Sequence, residues 1–154
     1  MDITLTISRQ SLDMLKNAPA RMREALIPAM KRCMAAAEAT AKRDYLSGPR
    51  PTRLDRRTGR LRGSIATEAV MDGNKIVGRI GSNVVYARIH EQGLVGAVNV
   101  RAHMRRTKAG AAAVRAHTRR VNMRRRPFLR PALEDNLDKF NDIFADAIIT
   151  AFGG

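Results

Sequence analysis

One long stretch of the chain carries many positive charges and no negative charge. Residues 92–133 contain no Asp or Glu, and their eleven basic residues are Arg101, Arg105, Arg106, Lys108, Arg115, Arg119, Arg120, Arg124, Arg125, Arg126 and Arg130. Unpaired guanidinium groups are costly to remove from water. The basic side chains of this stretch therefore cannot belong to the protein's own core, and they must stay in solvent or lie against an acidic partner.

A short sequence occurs twice within this stretch. Val100-Arg-Ala-His-Met-Arg-Arg106 returns as Val114-Arg-Ala-His-Thr-Arg-Arg120, and the spacer between the two copies is small and turn-prone. The pattern predicts one protruding β-hairpin arm over residues 98–122, with its turn centred near Gly110.

The predicted hairpin places like residues opposite each other. His103 faces His117, Arg101 faces Arg119 and Arg105 faces Arg115, and alternation puts these six on one face. Like charges directly opposite each other destabilise a free hairpin. We therefore expect the hairpin to be mobile in the isolated chain and ordered in an assembly.

The remaining residues predict a single α+β domain, residues 1–154. The expected fold is a small antiparallel sheet packed against a long N-terminal helix and a C-terminal helix, with the long basic β-hairpin as an arm. The predicted elements are a strand around Ile3, Leu5 and Ile7, a short helix from Ser11 to near Pro19, a long helix over 21–46, strands over 61–70 and 75–82 joined at Asp72-Gly73, a short helix or extended turn over 84–92, and a last helix that begins at Pro131.

Two apolar stripes predict which helix faces are buried. The first consists of Met22, Leu26, Met30, Met34, Ala37, Ala41 and Tyr45, and the second of Leu133, Leu137, Phe140, Phe144, Ile148 and Phe152. Cys33 is the only cysteine, so no internal disulfide can form, and it is expected to be a small buried residue.

Charge is distributed unevenly along the chain. The formal net charge is +15, whereas residues 134–154 contain five acids and one lysine. Asp138, Asp142 and Asp146 lie mostly off the apolar stripe of the last helix and are candidates to bind the basic hairpin of another copy. This polarity suits head-to-tail contact between copies and also suits DNA.

The sequence shows no catalytic arrangement, so we expect a protein that is not an enzyme and has no cofactor. The three histidines do not predict a zinc site, because no thiolate or carboxylate is interleaved and arginine neighbours repel a cation. His90 and Glu91 are adjacent in sequence, and adjacent residues rarely converge on one substrate.

A DNA-binding β-ribbon is the main alternative for the basic hairpin. Base recognition usually mixes Asn, Gln and Arg, whereas this hairpin is nearly all Arg. That composition favours contact with phosphates or carboxylates without sequence discrimination, so non-specific contact with genomic DNA stays open.

Three phrases in the chain together resemble one protein family. They are Arg57-Thr-Gly-Arg-Leu-Arg-Gly-Ser-Ile65, Ile80-Gly-Ser-Asn-Val-Val-Tyr-Ala-Arg-Ile-His-Glu-Gln-Gly93 and Arg126-Pro-Phe-Leu-Arg-Pro-Ala-Leu133. In this order they are similar to the tail-completion and virion-morphogenesis proteins of long-tailed bacteriophages, including the Mu G-like group and the relatives of minor tail protein Z.

The resemblance implies a structural virion protein that forms a ring, expected to be hexameric, at the head–tail junction or the upper end of the tail. It implies assembly in the host bacterial cytoplasm, partners among neck, connector or tail proteins, and no membrane. The candidate interface residues of the hairpin are Arg101, His103, Arg105, Arg106, Arg115, His117, Arg119 and Arg120. Residues expected to form an interface or to anchor the fold are Tyr86, His90, Gly93, Arg126, Pro127 and Phe128.

Overall fold

The computed structural model describes residues 2–6, 20–48, 54, 58–73, 75–108 and 110–152, and their fold is α+β as predicted. The helices are α1 (Ala20–Thr40), α2 (Arg60–Gly63), α3 (Ala87–Gln92), α4 (Arg130–Glu134) and α5 (Leu137–Phe152), and a π-helical turn (Ala41–Tyr45) continues α1. The strands are β1 (Asp2–Thr6), β2 (Ile65–Asp72), β3 (Lys75–Ser82), β4 (Leu94–Val100), β5 (His103–Thr107), β6 (Gly110–Val114) and β7 (His117–Met123). The short helix predicted between Ser11 and Pro19 lies outside the described residues.

An antiparallel sheet of three strands, in the order β1-β3-β2, forms the base of the fold. β2 and β3 make the predicted hairpin, and Gly73 turns the chain with a φ of 57°. The predicted start of β2 at Leu61 is wrong. Gly59 has a φ of 76°, and Gly63 N–H donates to its carbonyl at 2.8 Å, so Leu61 lies in the single turn of α2 and the strand starts at Ile65.

Helix α1 packs on this sheet through the predicted apolar stripe. Leu26, Met30, Met34, Ala37 and Ala41 are all buried, whereas the side chain of Met22 lies outside the description. The helix can approach β3 closely because residue 78 is glycine: a Cβ there would lie 2.6 Å from the sulfur of Met30. A glycine in a strand interior often marks such a close approach.

Cys33 lies on the same helix and is fully buried, as predicted. Burial raises the pKa of its thiol to about 11, so it is protonated at neutral pH.

The C-terminal helix is divided in two, which the sequence did not predict. Asn136 is buried at the break, and its side-chain amide donates to Thr40 Oγ1 at 2.9 Å and to the Ala132 carbonyl at 2.8 Å. The buried stripe therefore passes through Asn136, and the expectation that Leu137 and Ile148 are buried is wrong, since they are 48 % and 39 % exposed. Leu133 and Phe140 are buried as predicted, and the side chain of Phe152 lies outside the description.

Within the described residues, no helix combines the length and the apolar character needed to span a bilayer.

Candidate assembly arm and its anchor

Residues 94–123, which we call the arm, form one long antiparallel hairpin with an interruption. β4 pairs with β7, and β5 pairs with β6. The register continues unchanged through the interruption: Val100 lies opposite His117 before it, and His103 lies opposite Val114 after it. The pair Thr107 and Gly110 closes the hairpin at its tip. Most arm side chains are exposed, so the arm is not part of the core.

The predicted register of the arm is wrong by three residues. His103 lies opposite Val114 instead of His117, and Arg105 lies opposite Ala112 instead of Arg115. Because the shift is an odd number, it also moves one leg of the hairpin to the other face, so the six residues do not share one face. The physical reason is charge: in the observed register the arginines of the paired strands lie opposite uncharged residues, which avoids the repulsion of like charges.

Both copies of the repeat form the same local structure at the interruption, which we call the joint (residues 100–103 and 114–117). In each copy the valine ends one strand, the Arg-Ala pair leaves the ladder and the histidine starts the next strand. His103 Nδ1 lies 3.0 Å from the carbonyl oxygen of Arg101, and His117 Nδ1 lies 2.9 Å from that of Arg115. In both copies, a histidine side chain therefore contacts the arginine carbonyl oxygen that lies outside the strand pairing.

A single carboxylate anchors the chain where it leaves the arm. Glu91 is 7 % exposed. Its Oε2 accepts the backbone N–H groups of Phe128 at 2.8 Å and Leu129 at 3.1 Å, and its Oε1 accepts that of Arg130 at 3.0 Å. These donors lie at the start of α4, where a helix leaves N–H groups unsatisfied and favours a negative charge. Glu91 therefore caps α4 from a distance in sequence.

The chain segments that enter and leave the arm, residues 90–93 and 124–126, which we call its roots, are hydrogen-bonded to each other beside α3. Arg126 N–H donates to the His90 carbonyl at 2.6 Å. Gly93 has a φ of 79°, and a Cβ there would lie 3.0 Å from the Met123 carbonyl, so this position requires glycine. Phe128 is fully buried, whereas Pro127 is exposed.

His90 and Tyr86 form a small aromatic contact beside this root. Their ring centroids lie 5.8 Å apart, with the planes nearly perpendicular. Partial burial, followed by the positive charge of Arg126, lowers the pKa of His90 below its ordinary value. The sequence could not reveal whether this histidine faces solvent or the core, and the structure places it between the two.

The candidate interface residues of the arm are exposed and carry unpaired charge. Arg101 and Arg115 lie at the joint, Arg105 and Arg106 on β5, and Arg119 and Arg120 on β7; His103 and His117 start those two strands. Over the described part of the chain, none of these six arginines forms an ion pair. Their charges are therefore available to a partner.

The candidate acidic residues form an exposed row on α5. Asp138, Asp142 and Asp146 are spaced four residues apart and therefore share one side of the helix. They too form no ion pair with any described residue. Like charges four residues apart destabilise a helix slightly, so a cationic partner would stabilise this row.

Sequence reasoning missed Glu91, although a signal existed. Ser, Thr, Asp and Asn are absent from the residues just before α4, and Leu129 at its N-cap makes no side-chain hydrogen bond. A helix start without a local cap needs an acceptor from elsewhere in the chain. That requirement predicts a distant acid but does not say which one.

Comparison with known proteins relates the chain to a protein family. Residues 15–146 match the model of the phage virion morphogenesis family. No curated protein and no solved structure matches the chain. Since the family model covers most of the chain, including the arm, α1 and the first ten residues of α5, the protein belongs to the phage virion morphogenesis family.

Proposed function

We propose that this protein is a tail-completion component of the phage neck, which assembles into a hexameric ring at the top of the tail. Membership of a virion morphogenesis family gives the structural role in the virion. The position in the neck, the ring and its six subunits are the proposal.

The observation that carries the proposal is the unmatched charge at two separate places in one chain. The arm presents exposed arginines with no acid in its sequence, and α5 presents the aspartate row Asp138, Asp142 and Asp146, which pairs with no cation among the described residues. Each set can be neutralised by the other set on a second copy. A contact in which one surface binds a different surface of the next copy is heterologous, and such contacts form a ring when the rotation from copy to copy closes.

The arm is supported firmly enough to act as such a link. Its two roots are joined through His90 and Arg126, and Glu91 fixes the chain that follows. Contacts between exposed charges are screened over about 8–10 Å at physiological ionic strength. The ring should therefore dissociate as salt concentration increases.

The test replaces Arg101, Arg105, Arg115 and Arg119 with Ser together. We expect a folded subunit that no longer forms the ring and does not join heads to tails, measured by sedimentation and by the yield of infectious particles. A control variant removes four exposed cations outside the arm, by replacing Lys31, Arg32, Arg60 and Lys75 with Ser, and should assemble normally.

The alternative function is DNA binding through the same arm, and its signature differs. A protein that neutralises phosphates binds duplex DNA with an affinity that falls steeply with salt, with a slope set by the number of contacts. Normal particles from the arm variant would refute the proposed role of the arm. Tight salt-dependent binding of duplex DNA by a chain that stays monomeric would favour the alternative.

A further inference from the structure

The repeat in the arm is longer than the sequence motif alone suggests. When the copies are aligned on the joint, residues 96–106 correspond to residues 110–120, and eight of these eleven positions are identical. Gly96 and Gly110 take equivalent places, and both have positive φ, 158° and 125°. The arm therefore contains two copies of one segment, fourteen residues apart.

In the observed register, a local two-fold axis relates the two copies of the repeated segment. Val100 lies opposite His117, and the equivalent residues in the other copy, Val114 and His103, also lie opposite each other. The same holds for Ala97 with Arg120 and for Ala111 with Arg106. A two-fold rotation about the joint, which exchanges the two strands of the hairpin, therefore superimposes each of these pairs on its equivalent pair.

This symmetry divides the arm into two equivalent units. The tip unit consists of β5 and β6, and the base unit consists of residues 96–100 and 117–121. Each unit pairs an uncharged strand that begins with Gly-Ala with a strand that begins with His and carries two adjacent arginines. The arginines are Arg105 and Arg106 in the tip unit and Arg119 and Arg120 in the base unit.

The separation between the arginines of the two units shows whether one aspartate row is long enough to bind both units. Arg119 lies opposite Val98, seven residues from Arg105 along the same leg, which corresponds to about 24 Å at about 3.4 Å per residue. The row from Asp138 to Asp146 spans eight residues of helix, or about 12 Å at about 1.5 Å per residue. One row is half as long as required, whereas two helices of about 10–12 Å diameter fit side by side.

We propose that the arm is a two-site cationic clamp whose tip and base units each bind the aspartate row on α5 of a different copy of this chain. The proposal rests on the proposed function, since it takes the aspartate row as the arm's partner. It adds that one arm has sites for two partners, because the units have the same chemistry and lie too far apart to share one row.

The test uses two full-length variants that cannot polymerise when mixed. A donor carries Asp138→Asn, Asp142→Asn and Asp146→Asn, so its arm is intact and its row is neutral. An acceptor carries Arg105→Ser, Arg106→Ser, Arg119→Ser and Arg120→Ser, so its row is intact and neither unit of its arm carries an arginine. At saturation in low salt we expect one donor to bind two acceptors, measured by sedimentation equilibrium or native mass spectrometry.

Two further donors locate the sites. A donor that also carries Arg105→Ser and Arg106→Ser, and one that also carries Arg119→Ser and Arg120→Ser, should each bind one acceptor instead of two. Circular dichroism checks that every variant is folded.

The possible failures are distinguishable. A saturated complex of one donor with one acceptor would overturn the two-site clamp and leave the ring proposal standing. A donor that binds no acceptor, although the unaltered chain assembles, would overturn the aspartate row as the partner. A donor that binds a duplex DNA oligonucleotide but no acceptor, with an unaltered chain that stays monomeric, would overturn both proposals.

Discussion

Replacing Glu91 by Gln tests whether one carboxylate holds the helix that follows the arm. The substitution keeps the size of the side chain and removes its charge. A glutamine has one carbonyl oxygen, which can accept two of the three N–H groups that Glu91 now binds at 2.8, 3.0 and 3.1 Å. With that oxygen in the place of Oε2, Phe128 and Leu129 keep their acceptor, and the N–H group of Arg130 would face an amide group that is itself a donor.

The expected loss of stability follows from these three contacts. A hydrogen bond to a charged group contributes about 1.5–3 kcal/mol, and charge-assisted bonds are roughly twice as strong as neutral ones. Losing one such bond and weakening two others predicts a decrease of about 3 kcal/mol in the free energy of unfolding. For a chain of this size each kcal/mol lowers the melting temperature by about 2–4 °C, so Glu91→Gln should melt about 6–12 °C below the unaltered protein.

The assay is thermal unfolding followed by circular dichroism, at neutral pH and moderate salt. Glu134→Gln is the matched control, because it makes the same chemical change on α4 in an exposed ion pair with Arg130. Surface ion pairs contribute little to stability, so this control should melt close to the unaltered protein. If Glu91→Gln melts together with Glu134→Gln, Glu91 does not stabilise the start of α4 and the reasoning is wrong.

Two further predictions concern the root of the arm and the helix–sheet interface. Burial and Arg126 lower the pKa of His90 below 6.5, so the unfolded chain binds a proton at His90 more readily than the folded chain, and the free energy of unfolding should decrease as pH falls below about 6.5. Unfolding measured at a series of pH values should show a smaller decrease for His90→Asn than for the unaltered protein. Equal decreases in both proteins would contradict this. Gly78→Ala places a Cβ against the methionine sulfurs of α1 and should lower the free energy of unfolding by about 1–3 kcal/mol. The control Gly63→Ala meets no atom within 4 Å and should not destabilise the protein, so equal urea midpoints for the two variants would refute this packing.

The fold class and most elements could be predicted from the sequence because their signals are local. The alternation in β1 and β3, the Asp72-Gly73 turn and the stripe of α1 all depend on residues a few positions apart. The break at Asn136 could not be predicted in this way. It depends on a hydrogen bond to Thr40, which is distant in sequence and becomes a neighbour only when α1 and α5 pack together.

The arm shows how a correct pattern can lead to a wrong register. The repeat correctly predicted one hairpin, but matching the two copies residue against residue placed like charges opposite each other. The observed register instead relates the copies by a two-fold axis, so that Arg105 lies opposite Ala112 and Arg119 lies opposite Val98. The rule that like charges avoid each other across a ladder favours this register, and applying it would have corrected the prediction.

The anchor depends on contacts that no local pattern contains. Glu91 and the N–H groups that it binds are separated by the whole arm. The sequence could indicate that α4 lacks a cap, but the acid that supplies it is identified only when both roots of the arm are brought together.

The uninterrupted register across the joint has a consequence for insertions and deletions. Removing one residue from a single copy of the repeat would slip one leg past the other by one position, and every side chain beyond the slip would turn to the opposite face. Removing one residue from each strand, such that the two lie opposite each other as Val100 and His117 do, would shorten the hairpin and keep its pairing. The length of the arm can therefore change only when both strands gain or lose residues at opposite positions. The two copies of the repeat must then change in length together.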